Sequence, residues 1–221
     1  IDVASAVDYL HSSAMKPHGD LSTASVYLDN TSPRNRKAQR VQLRGCCLRS
    51  VMTEELPVER EEGDVRADPE LARTGACLPE HDIYSFGIIL LELISGQRPE
   101  NVLEQLSSAT MGAGAGARHQ CDNATGGAGA GGSARPPQSL ASVLRCYLAN
   151  TELLLKSVDP KAGLWPDAQA LTFVYLIYDM IQPSLVQRPG SAEVLRRLRD
   201  VQHLSVTSPL DKNNSSSHHS S

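Results

Sequence analysis

Side chains able to do chemistry are thinly spread along this chain, and their neighbours account for many of them. Five cysteines occur, none in a Cys-x-x-Cys pair. The adjacent Cys46 and Cys47 could suggest metal or redox work. With no partner cluster they read instead as buried thiols, and the overall usage fits a reducing compartment better than a disulfide framework. Asn30-Thr-Ser and Asn123-Ala-Thr match a glycosylation pattern, which has no bearing on a cytoplasmic domain. Glu54, Glu55, Glu59, Glu61, Glu62 and Asp64 mark a charged loop. Ser50 and Thr53 lie just ahead of the Glu59-Arg60-Glu61-Glu62 run, which would repel a phosphate added to either. Arg196, Arg197 and Arg199 read as the solvated face of an amphipathic helix whose Ala192, Leu195 and Leu198 point inward. A net charge of -4 gives no electrostatic footprint for nucleic acid.

The elements that must position any site are organised around Asp82 to Pro99. Ile83, Phe86, Ile88, Ile89, Leu90, Leu91, Leu93 and Ile94 cover nearly every direction around a helix, so the helix is expected to be buried on all sides. Asp82 is expected to cap it, Gly96 to end it in a left-handed turn, and Pro99 to stop it resuming. It is too short to cross a bilayer, which needs about 20 apolar residues. An apolar fraction of 40% supports a core, with aromatics at only 4%. The 221 residues allow one domain or two small ones.

Residues 1–13 carry a helical face, and Val26-Tyr27-Leu28 reads as a short strand. Asp29 to Gln39 reads as a long hairpin loop, with Arg40 to Leu48 as the return strand. Pro69 to Ala76 reads as a short helix, and Leu140 to Leu155, Leu171 to Ile181 and Ser191 to Leu204 as longer ones. Residues 107–138, with Gly112-Ala-Gly-Ala-Gly116, form a low-complexity insert expected to be disordered, as is the Ser/His tail over 206–221. No signal peptide or transmembrane run is visible, and a start in mid-helix at Ile1 suggests a fragment.

The order of these motifs resembles the C-terminal lobe of a eukaryotic protein kinase. Tyr9-Leu10-His11 followed by His18-Gly19-Asp20-Leu21 resembles the helix and catalytic loop, which in the family reads H-R-D-L-x-x-x-N. Ala67-Asp68-Pro69-Glu70 resembles the Ala-Pro-Glu that closes the activation segment. Asp82 to Pro99 resembles the central helix of plant receptor-like (tyrosine-kinase-like) kinases. Val158-Asp159-Pro160, and Gln187-Arg188-Pro189 with Glu193-Val194, resemble two later stretches of the same group. Five motifs in order span residues 1–205. The resemblance implies a mainly α fold, a helical bundle around a central buried helix, with a short β-hairpin near the catalytic loop.

It also implies roles for individual residues. Asp20 stands at the position of the catalytic Asp. Gly19 replaces the family's arginine, Ser22 its lysine, and Ser25 the metal-binding Asn. Asp-Phe-Gly maps onto Gly45-Cys46-Cys47, so the metal-bridging carboxylate is replaced by a residue with no ligand. The family's substrate platform before Ala67 is absent. Among structural residues, Glu70 is expected to pair with Arg188. Asp82 is expected to hold the catalytic-loop backbone near His18, which packs beneath the site. The N-terminal lobe, with its glycine-rich loop and phosphate-binding lysine, is not in this chain.

This pattern implies a pseudokinase of receptor-like type, acting in signalling as a binding or allosteric module. Its expected partners are other signalling proteins, an active kinase among them, and not nucleic acid or membrane. ATP and Mg²⁺ are expected only if the complete protein is active, in which case it would be a weak or atypical Ser/Thr kinase. A degenerate fragment without function is the third reading. The expected location is the cytoplasmic side of the plasma membrane, reached through an upstream segment.

Overall fold

The computed structural model describes residues 1–29, 40–46, 65–112, 139–149, 151–163 and 165–206. It is mainly helical, with one antiparallel pair of short strands. Helix α1 spans Asp2–Ser12, and strands β1 (Val26–Asp29) and β2 (Arg40–Leu43) follow. Val26 faces Leu43 and Asp29 faces Arg40 across the hairpin. Helices α2 (Pro69–Thr74), α3 (Pro79–Ser95), α4 (Pro99–Gly112), α5 (Leu140–Leu148), α6 (Thr151–Lys156), α7 (Asp167–Met180) and α8 (Ser191–Val206) complete the order.

Helix α3 is the axis of the core. Its Ile83, Phe86, Ile88, Ile89, Leu90, Leu91 and Ile94 are all buried, while Leu93, exposed at 63%, is the exception among the apolar residues expected to be buried. The helix packs on α7, which packs on α8, and α1 closes against α8 and β2. Ile83, Leu176, Ile177, Met180 and Ile181 are each sealed from solvent, and burying such side chains stabilises by about 1.5–3 kcal/mol apiece. Gly87 allows this contact to be close. A methyl group there would sit 2.8 Å from Ile181 Cγ2 and 3.0 Å from Met180 Cβ.

The ends of α3 differ from the sequence expectation. Its N-cap is Leu78, and Pro79 occupies the first turn, where a missing N–H costs nothing and a fixed φ is already helical. Asp82 therefore lies one turn inside the helix and does not cap it; its carboxylate is used elsewhere. Gly96 closes the helix with φ +64°, as expected. Pro99 does not merely end α3 but starts α4, for the same first-turn reason.

Helix α4 runs to Gly112, six residues into the stretch read as a low-complexity insert, and the remainder, 113–138, lies outside the described residues. So do the acidic run over 54–64, Cys47, and the tail beyond Val206. Among the described residues no helix is long and apolar enough to cross a membrane.

Candidate functional site

The loop after α1 is held by a single buried carboxylate. Asp82 is 2% exposed. Its Oδ2 accepts the backbone N–H of His18 at 2.6 Å, and its Oδ1 accepts that of Gly19 at 2.9 Å. His11 Nε2, on α1, lies 2.8 Å from the same Oδ2. Three contacts from two segments thus converge on the first turn of α3, where the helix dipole also favours a negative charge.

His18 carries the connection onward. It is fully buried, and its Nε2 donates to the Arg44 carbonyl at 2.9 Å, at the end of β2. Its Nδ1 accepts the Asp20 N–H at 3.3 Å. One nitrogen faces only an acceptor and the other only a donor, so the Nε2–H tautomer is required. The backbone of Asp20 is thereby tied through one imidazole to the hairpin and, one peptide earlier, to α3. Gly19 (φ +82°) and Gly45 (φ +80°) both adopt a left-handed backbone that a side chain would strain.

A cleft of about 190 Å³ opens above this frame, lined by Asp20, Ser22, Ala24, Ser25, Tyr27, Arg44 and Gly45. Asp20, Ser22, Ser25 and Gly45, chosen from sequence alone, thus face one space. Among the described residues Asp20 supplies its only carboxylate. The Ser25 hydroxyl is turned into its own loop, donating to the Ser22 carbonyl at 2.7 Å and accepting the Ser22 N–H at 3.0 Å. Cys46 follows Gly45 and is exposed, which corrects its reading as a buried thiol: it lies past the end of β2 at Leu43 and is outside the packed core. Tyr27 and Arg44 carry no family motif, and sequence reasoning passed over them as cleft residues.

A second cluster, away from the cleft, corrects the expected Glu70–Arg188 pair. Arg188 forks onto Asp68, its Nη2 donating to Oδ1 at 2.8 Å and its Nη1 to Oδ2. Its remaining N–H groups go to the carbonyls of Gln182 (2.7 Å), Glu80 (2.9 Å) and Pro183 (3.2 Å). Those five bonds use every donor a guanidinium has. The Tyr84 ring lies beneath it, with its centroid 4.9 Å from Cζ. Glu70, at the start of α2, instead holds Arg73 at 2.8 Å.

Asp68 prevails because it caps α2, accepting the Glu70 N–H at 2.9 Å, and so points into the core, whereas Glu70 lies on the helix itself. His81 Nδ1 donates to Asp68 Oδ2 at 2.6 Å, while its buried Nε2 has no hydrogen-bond partner among the described residues. Burial raises the Asp68 pKa, but the bonds from Arg188 and His81 outweigh it and hold the carboxyl below its ordinary range.

The family described as "Protein tyrosine and serine/threonine kinase" matches residues 1–125, more than half the chain. This chain belongs to the protein kinase family. Its catalytic-loop segment and central helix, with Asp82 joining them, are the parts just described.

Among curated relatives from Arabidopsis thaliana, Wall-associated receptor kinase 2 is 34% identical over 120 residues, covering 49% of this chain and 16% of the relative. A protein named "Probably inactive leucine-rich repeat receptor-like protein kinase" is 32% identical over 120 residues, covering 53% of this chain and 14% of its own. The leucine-rich repeat receptor-like serine/threonine-protein kinase GHR1 is 36% identical over 109 residues, covering 47% and 10%. The chain therefore spans a small part of the length of these receptor-like kinases, to which it is similar.

Proposed function

We propose that this kinase domain is catalytically impaired and serves in signalling as a binding or allosteric module of a receptor-like protein. One observation carries the reading. Among the described residues, the cleft that gathers Asp20, Ser22, Ser25 and Gly45 offers one carboxylate, Asp20, and no second anionic ligand. Mg²⁺ is a hard cation that demands near-ideal octahedral oxygen donors. Gly45 contributes no side-chain donor, and the Ser25 hydroxyl already makes two hydrogen bonds within its own loop. The donor set does not fit a metal–nucleotide complex.

What folding needs is retained: the Asp82 clamp, the His18 bridge and the Asp68–Arg188 fork. The natural partners of such a module are other signalling proteins, including an active kinase that it positions or restrains. The similarity to receptor-like kinases supports a place at the cytoplasmic face of the plasma membrane.

Asp20 lines the cleft, and this favours a second reading, a weak ATP-dependent Ser/Thr kinase. The two separate in one experiment on the protein expressed from its complete gene. ATP with Mg²⁺ is titrated while thermal stability and phosphate transfer to a general Ser/Thr substrate are followed. The pseudokinase reading expects no transfer. Transfer that requires Mg²⁺ and is lost in Asp20→Asn would overturn it.

A further inference from the structure

The cleft beside Asp20 contains one charged group that the family's chemistry does not explain. Arg44 directly precedes Gly45 and is one of the residues that line the cleft. Its backbone is fixed at both ends: its N–H donates to the Ser25 carbonyl at 2.9 Å, and its carbonyl accepts from His18 Nε2 at 2.9 Å. Its guanidinium lies over the Tyr27 ring, with Cζ 4.3 Å from the centroid. Among the described residues that guanidinium makes one hydrogen bond, a long one of 3.4 Å to Gln42 Oε1. The planar group is thus oriented by its neighbours while most of its N–H donors remain unspent.

We propose that this cleft binds a phosphoanion directly, without a divalent cation, and that Arg44 is the charge partner. A guanidinium presents two parallel N–H donors that match two phosphate oxygens, and stacking on Tyr27 lowers the ordering cost of that arrangement. With Gly45 beside it contributing no carboxylate, the described residues that line the cleft include one of each charge, Arg44 and Asp20. An added Mg²⁺ would meet the Arg44 charge, whereas a phosphate would be drawn to it. One substitution pattern therefore disfavours the metal and favours the anion. The inference deepens the pseudokinase reading and rests on it.

The phosphate could belong to a nucleotide or to free polyphosphate, and the test separates them. The 221-residue chain is melted with tripolyphosphate, ATP or adenosine, each in EDTA and each in Mg²⁺. Tripolyphosphate is expected to raise the melting temperature in EDTA, and adenosine to leave it unchanged. Binding of ATP equal to that of tripolyphosphate assigns recognition to the phosphates alone, and tighter binding of ATP assigns the nucleotide.

Arg44→Gln is expected to weaken binding about tenfold, the scale of losing a hydrogen bond to a charged group, with Arg44→Lys between it and the natural protein. Asp20→Asn, which removes the opposing charge, is expected to tighten it. No shift with tripolyphosphate in EDTA, or a shift that Arg44→Gln leaves unchanged, overturns the inference. Neither result bears on phosphate transfer, whose appearance would overturn the pseudokinase reading separately.

Discussion

Asp82 Oδ2 accepts the backbone N–H of His18 at 2.6 Å, a bond between positions 64 residues apart. It joins the loop that carries Asp20 to the most buried helix of the domain. Its energetic weight comes from what it prevents, because without the Asp82 carboxylate the N–H groups of both His18 and Gly19 lose their acceptor.

Asp82→Ala is expected to destabilise the fold by about 3 kcal/mol, since buried donors left unpaired cost about 1–3 kcal/mol each. For a domain of this size that lowers the melting temperature by roughly 6–12 °C. Calorimetry or circular dichroism melting measures it. An unchanged melting temperature would remove Asp82 from its organising role.

The Asp68–Arg188 fork makes a sharper claim about which acid holds the arginine. Both side chains are almost wholly excluded from solvent, at 1% and 0% exposure. Removing one partner of such a pair costs about 3–5 kcal/mol, because the other charge stays buried. A double-mutant cycle by urea unfolding should give a coupling of a few kcal/mol between Asp68 and Arg188. Negligible coupling would mean that the arginine is held mainly by its three carbonyl partners.

The same carboxylate makes the acid limit of stability predictable. Its pKa is lower folded than unfolded, where the ordinary value is 3.8. Above that value both states are ionised, and the stabilisation from this group is complete. As the pH falls below it, unfolded chains take up the proton first. The contribution shrinks and is gone once the folded carboxyl is protonated too. Stability measured by urea unfolding between about pH 5 and pH 2 should therefore fall with acid, and Asp68→Asn should flatten that fall.

Restoring the family's arginine at position 19 should not restore an ordinary kinase loop. Gly19 has φ +82°. A side chain in the left-handed region costs roughly 1–2 kcal/mol. Gly19→Arg is therefore expected to lower the unfolding free energy by that amount, read as a lower urea midpoint at unchanged slope.

Gly87→Ala tests the packing of α3 on α7. The new methyl would lie 2.8 Å from Ile181 Cγ2. Overpacking of this kind costs about 1–3 kcal/mol. A neutral substitution would show that the two helices can separate freely.

Much of this architecture was legible in the residue order. The apolar residues that dominate Ile83 to Ile94 marked a helix buried over most of its circumference, and His18-Gly19-Asp20 marked the loop it supports. What escaped depended on direction rather than type. Asp82 reads as a cap because caps are commonly Asp, but Pro79 had already supplied the first turn. Asp68 and Glu70 both flank Pro69, and composition does not reveal that the cap turns inward while the helical residue turns toward Arg73. Pro99 reads as a stop and is also a start. Arg44 belongs to a strand end with no motif, and its place in the cleft comes from the hairpin register.

The clamp on the catalytic-loop segment also sets when that segment can open. The amides of His18 and Gly19 are bonded to a carboxylate rooted in the innermost helix. Their hydrogens can exchange with solvent only when α3 itself loosens. A loop beside an open cleft should therefore exchange at rates close to those of global unfolding, unlike the low-stability loops in which ligand sites usually lie. The rim of the cleft should then prove as durable as the core beneath it.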